Sequence, residues 1–143
     1  MTRSASLNRL VEYWQTLTPT TVDDIGYVYA DDAFFRDPFN EVTGLEKIRH
    51  IFADMFVRLD APAFNITETI EEPHGALLIW DFTFRIKSLK PGLTRRIQGT
   101  SHIRFAADGR VQYHRDYWDA AGEFYEQLPL VGSLMRFLKK RAA

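Results

Sequence analysis

Apolar positions in the first 60 residues recur every three or four places, and beyond Pro62 they alternate. Leu7, Leu10, Val11, Trp14 and Leu17 share one face of a helix that Ser4 or Ser6 caps and Pro19 ends. A short second helix follows. Thr20 or Thr21 caps it, with Asp23 or Asp24 three residues on, and Ile25, Val28 and Tyr29 form its apolar side. Ala33–Asp37 reads as a short strand stopped by Pro38. Thr43-Gly44-Leu45-Glu46 matches a capping box for a third helix. Leu45, Ile48, Phe52, Met55, Phe56 and Leu59 line one face of that helix, and Pro62 closes it.

From Phe64 the period becomes two. Phe64, Ile66, Glu68 and Ile70 alternate with Asn65, Thr67 and Thr69, and Pro73-His74-Gly75 makes a turn. Long strands over Ala76–Ser88 and Arg95–Ala106 are joined at Lys90-Pro91-Gly92, and Asp108-Gly109 is a two-residue hairpin signal before a last strand, Val111–Trp118. Asp119 caps a helix over Ala120–Gln127. Pro129 interrupts it, and a final amphipathic helix uses Leu130, Leu134, Met135 and Leu138. Helices first and hairpin strands after them predict an α+β fold, not a doubly wound parallel sheet. Gly99 inside a long strand predicts bending, so the sheet is expected to curve around the helices and enclose one apolar pocket.

Composition narrows the function classes. At 143 residues, 45% hydrophobic and 14% aromatic, the chain suits one domain, 1–143, with a substantial core. It has no cysteine, which excludes thiol catalysis and Cys-held zinc or iron–sulfur sites. A net charge of −1 argues against nucleic acid as a partner. No run is long enough for a membrane span, and the start lacks a signal-peptide pattern, so a cytoplasmic protein is expected. No metal and no cofactor are expected, because the histidines and carboxylates lack a ligand-like grouping and there is no phosphate-cradling glycine loop.

Strand alternation assigns faces to the candidate chemistry. Trp80, Phe82 and Phe84 point one way from their strand, opposite Asp81, Thr83 and Arg85. Ile97, Gly99, Ser101, Ile103 and Phe105 share a face, opposite Arg96, Gln98, Thr100, His102 and Arg104. His114, Asp116 and Trp118 share a face opposite Tyr113, Arg115 and Tyr117, but both sides carry aromatics and periodicity does not choose between them. At i, i+2 spacing His114 and Asp116 can share a hydrogen-bond network. Histidine titrates near neutrality and suits a proton shuttle, whereas Asp116 could equally pair with Arg115 or Arg36 as a structural ion pair. Asp37 precedes a proline, a common turn position where the side chain caps backbone.

Two stretches resemble the nuclear transport factor 2-like superfamily, which includes ketosteroid isomerase, limonene epoxide hydrolase and SnoaL-like polyketide cyclases. One is Tyr29-Ala30-Asp31-Asp32-Ala33-Phe34-Phe35-Arg36-Asp37-Pro38 with Thr43-Gly44-Leu45-Glu46-Lys47-Ile48. The other is His114-Arg115-Asp116-Tyr117-Trp118-Asp119 with Glu123-Phe124. The resemblance implies a cone-shaped α+β barrel with a deep pocket, and a homodimer. It implies that Asp116 points inward as an acid/base carboxylate. It implies Asp37 as a proton-abstracting aspartate and Tyr13 as an oxyanion donor. Where the isomerase has a protonated aspartate as second oxyanion donor, this chain has Ser101, a weaker donor.

The expected catalytic set is therefore Asp37, Asp116, Tyr13 and His114. Trp80, Phe82, Phe84, Ser101, Ile103 and Trp118 are expected to hold the ligand, a small hydrophobic molecule. Isomerase, cyclase, dehydratase and hydrolase chemistry all fit that layout. A non-catalytic binder of hydrophobic ligands, or a scaffold, would use the same fold. The patterned outer sheet face suits a homodimer contact.

Overall fold

The computed structural model describes residues 3–87, 93–124 and 131–143. Helix α1 (Ala5–Gln15) starts at Ser4, whose side chain accepts the Leu7 N–H, and buries Leu7, Leu10, Val11 and Trp14. The predicted second helix is a 3-10 turn, Thr21–Tyr27, without a side-chain cap. Thr21 instead accepts the Thr18 N–H through its hydroxyl. Tyr29, expected on that helix, begins strand β1 (Tyr29–Arg36), which is longer than predicted because Tyr29 pairs with Val111.

A short strand, β2 (Glu41–Thr43), was not legible from the pattern and pairs back on β1. It also overturns the capping box. Thr43 is committed to β2, so Gly44 becomes the N-cap of α2 (Leu45–Arg58) with φ 111°, a backbone glycine adopts without strain, and no side chain caps. Glu46 turns to Arg49 instead. Helix α2 buries Ile48 and Phe52 against the sheet.

Pro62 does not close that segment. Strand β3 (Leu59–Glu72) begins directly after α2 and runs through Pro62, which sits in a register shift between Asp60 and Ala63. A bulge tolerates a residue with no N–H to give. A second shift, between Ile66 and Glu68, reverses the expected alternation, so Ile70 is 51% exposed. Strand β4 (Gly75–Ile86) follows a tight turn, then come β5 (Arg95–Phe105) and β6 (Val111–Trp118). The turn before β6 is wider than a two-residue hairpin. Gly109 N–H donates to the Ala106 carbonyl, Ala106 N–H donates to the Arg110 carbonyl, and Gly109 takes φ 85° at the resulting bulge.

The six strands form one curved, unclosed sheet in the order β2-β1-β6-β5-β4-β3. All neighbours are antiparallel except β1 and β6, which run parallel. α1 and α2 lie in its concavity, so the core forms between helices and inward strand faces. Asp119 caps α3 (Ala120–Glu123) by accepting the Gly122 N–H. Helix α4 (Val131–Ala142) leaves Leu134, Phe137 and Leu138 exposed. The turn expected at Lys90-Pro91-Gly92, the helix end at Gln127, and Pro129 and Leu130 lie outside the described residues. Among the described residues no helix is long and apolar enough to cross a membrane.

Candidate active site

Strands β5 and β6 pair so that Ser101 lies opposite Asp116 and Ile103 opposite His114. The tie that periodicity left open is thereby settled: His114 and Ser101 are buried and Asp116 is mostly so. Asp116 forms no ion pair with Arg115 or Arg36 within the described residues. Its Oδ1 accepts from Ser101 Oγ at 2.5 Å and meets His114 Nε2 at 2.6 Å. Arg36 pairs loosely with Glu41, and Arg115 stacks over the Tyr117 ring.

The network extends in both directions. Trp80 Nε1 donates to Ser101 Oγ at 2.8 Å. Its indole folds across Gly99, its cross-strand partner, where a Cβ would stand 2.4 Å from the ring. On the other side His114 Nδ1 meets the Tyr29 hydroxyl at 2.5 Å, and Trp14 Nε1 donates to that hydroxyl at 3.1 Å. Tyr29 stacks on His114, and Phe35 packs against the imidazole with ring centres 4.8 Å apart. Every buried side-chain nitrogen and oxygen among the described residues has a partner. No described group is hydrogen-bonded to Asp116 Oδ2, so that oxygen reaches the surface of a cavity rather than packed protein.

Two hollows meet at Asp116. Behind it lies an apolar cleft lined by Trp14, Phe64, Trp80, Ser101, Ile103 and His114, among others. Its volume is about 20 Å³, room for roughly one water molecule. In front lies an open hollow of about 520 Å³ lined by Arg36, Asp37, Pro38, Arg115, Asp116, Tyr117, Trp118 and Asp119. The deep apolar pocket anticipated from the sequence is thus narrow, because aromatic side chains fill it. Phe82 stacks on Phe64 and Phe84, with centroids 4.4 and 4.9 Å apart, and neither Phe82 nor Phe84 lines either hollow.

The other expected residues lie as follows. Asp37 is at the rim of the open hollow, but its Oδ1 accepts the backbone N–H of Phe39 (2.8 Å) and of Asn40 (2.7 Å), closing the β1–β2 turn. Burial pushes its carboxyl above the ordinary range. The Phe39 and Asn40 donors pull it back, and the nearby Asp116 carboxylate adds to the rise. Tyr13 is outside both hollows and donates to the Thr21 carbonyl at 2.8 Å. Burial, with Asp24 and Asp23 beside it, holds its hydroxyl well above the usual phenol range. Trp118 lines the open hollow, edge-on to Phe39. Tyr29 and Trp14 were missed as members of the network. Both occupy apolar slots in the pattern, and the pattern carries no signal for a hydroxyl or indole N–H aimed inward. Among the described residues no three His, Asp or Glu side chains are grouped to hold a metal.

The comparisons agree with this architecture. The model of the SnoaL-like domain family matches residues 10–114. No curated protein matches the sequence. A Catenulispora acidiphila protein with a ketosteroid isomerase-like fold, crystallised with trimethylamine, is 16% identical; 85% of this chain and 91% of that one superpose with a TM-score of 0.71. A putative SnoaL-like polyketide cyclase from Shewanella denitrificans is 18% identical over 87% of this chain and 100% of its own, with a TM-score of 0.70. An LEH-like epoxide hydrolase from M. tuberculosis is 17% identical over 83% and 84%, with a TM-score of 0.66. At these identities the likeness is one of fold.

Proposed function

The chain belongs to the SnoaL-like domain family, and from that premise we propose that it is a small-molecule enzyme in which Asp116 moves a proton. One observation carries the reading: a mostly buried carboxylate has one oxygen held by two side chains and the other unengaged, at the boundary between an apolar cleft and an open hollow. Oδ2 takes a proton from a substrate C–H or from water and returns it to a developing oxyanion or carbanion, while Ser101 and His114 hold the carboxylate still. Isomerase, cyclase, dehydratase and hydrolase reactions all need this step. The substrate is small and mostly apolar, lying on Trp118 with its reacting atom toward Asp116. Asp37 shapes the rim through its turn and is not the principal base.

The test is a panel of compact carbonyls and epoxides. 2-Cyclohexenone in deuterium oxide reports C–H exchange by NMR, and cyclohexene oxide reports hydrolysis by chromatography. Turnover of at least one is expected, with Asp116→Asn lowering kcat/KM by about 10²–10⁴-fold. Equal rates for wild type and Asp116→Asn, or no turnover across the panel, would remove the proposal.

Two copies pair through the outer sheet face under the same reading. That face carries Phe34 stacked on Tyr113, His102 edge-on to Tyr113 and Arg115 over Tyr117, which supports the pairing.

A further inference from the structure

The buried network around Asp116 begins at both ends with an indole N–H, a group that donates and never accepts. With a carboxylate that only accepts between them, one set of bond directions gives every hydrogen an acceptor. Trp14 gives its proton to the Tyr29 oxygen. The Tyr29 hydroxyl then has one described acceptor for its own hydrogen, His114 Nδ1. Burial holds the Tyr29 hydroxyl well above the usual phenol range, so it keeps that hydrogen. Nδ1 is therefore a lone-pair acceptor, and the imidazole carries its hydrogen on Nε2, facing Asp116 Oδ1. From the other end Trp80 gives to Ser101 Oγ, and the Ser101 hydroxyl gives to the same Oδ1. Two arms, drawn from five different elements, deliver hydrogen to one carboxylate oxygen.

We infer that Tyr29 is a positioning residue which, backed by Trp14, locks His114 in its Nε2–H tautomer and so reserves Asp116 Oδ2 for substrate. The inference rests on the reading of Asp116 as the base. Tyr29 lines neither hollow, so it acts only through His114. The reverse arrangement, with hydrogen on Nδ1, would leave the Tyr29 O–H without an acceptor in a fully enclosed site and would turn a lone pair of Nε2 against a carboxylate oxygen.

The experiment is two-bond ¹H–¹⁵N correlation of the full-length, ¹⁵N-labelled chain at neutral pH, with His50, His74 and His102 replaced by Gln so that one imidazole remains. The Nε2–H tautomer is expected. Tyr29→Phe strips Nδ1 of its donor while Asp116 still faces Nε2, so the Nδ1 resonance should shift and kcat fall about tenfold, with KM within about twofold, on whichever panel compound the wild type turns over. An Nδ1–H tautomer, or an unaltered Nε2–H spectrum in Tyr29→Phe, overturns the inference. If Tyr29→Phe fails to fold, Trp14→Phe keeps the hydroxyl but removes its donor, and the wild-type tautomer still decides the polarity. A wild type with the Nε2–H tautomer but no turnover sinks the catalytic reading alone. Turnover that depends on Asp116 with hydrogen on Nδ1 sinks this one alone.

Discussion

Asp37 and Asp116 stand at the rim of one hollow, and their partners set them to different tasks. Asp37 Oδ1 already serves two backbone N–H groups, whereas Asp116 Oδ1 is held by side chains and Oδ2 is open. Asp37→Ala should lose the turn's acceptor and cost roughly 1–2 kcal/mol in denaturant unfolding. Asp37→Asn keeps an acceptor oxygen and should retain turnover within severalfold of wild type. The pH dependence separates them further. The folded-state carboxyl of Asp37 is raised, so its protonated form favours folding. That contribution is complete below the ordinary value of 3.8 and is lost as pH rises through the folded value. Asn does not ionise, so the stability of Asp37→Asn relative to wild type should improve as pH rises above the ordinary value of 3.8 and through the raised folded value. Partial exposure of the site keeps the effect modest. A relative stability that falls over that interval would contradict the raised carboxyl.

At the scale of elements, strands β4 and β5 make the site possible through a missing side chain. Trp80 occupies the space over Gly99 because nothing projects there, and from that position its indole reaches Ser101. Gly99→Ala should push the ring aside, cost about 1–3 kcal/mol as an overpacked contact, and shift the Trp80 fluorescence. An unchanged spectrum and stability would mean the ring has another place to go. The sequence announced this glycine as a bend but not as the floor under an indole. Its legibility follows a rule. Inward faces on β4 and β5 follow from a period of two, whereas on β6 the period left the face open and only the family resemblance turned Asp116 inward; Trp80, Ser101, Ile103, His114 and Asp116 line one cleft. What a local pattern does not encode was lost: the bulges that expose Ile70, and the strand β2 that displaced the cap at Thr43. The partnership of Tyr29 with His114, 85 residues away, was lost for the same reason.

Among the described residues, the sheet has a broad face that α1 and α2 do not cover. The concave side of the sheet is filled by α1 and α2, while the convex side displays Tyr113, Arg115, Tyr117, His102 and Arg104, with Tyr117 47% exposed. A solvated sheet would not need stacked aromatics there. A two-fold contact would use them, since an arginine on a tyrosine face loses water cheaply and stays attracted to the ring. A stable pair needs about 800 Å² from each copy, which a contact centred on the outer faces of β4, β5 and β6 would have to supply. Sedimentation equilibrium at micromolar concentration should therefore give twice the chain mass. Tyr117→Glu would bury a carboxylate in that contact and should shift the population toward monomer, with the tautomer of His114 unmoved, because Tyr117 lies on the other face of β6. A wild type that sediments as a monomer would return this face to solvent and leave the buried Ser101–Asp116–His114 network as it is.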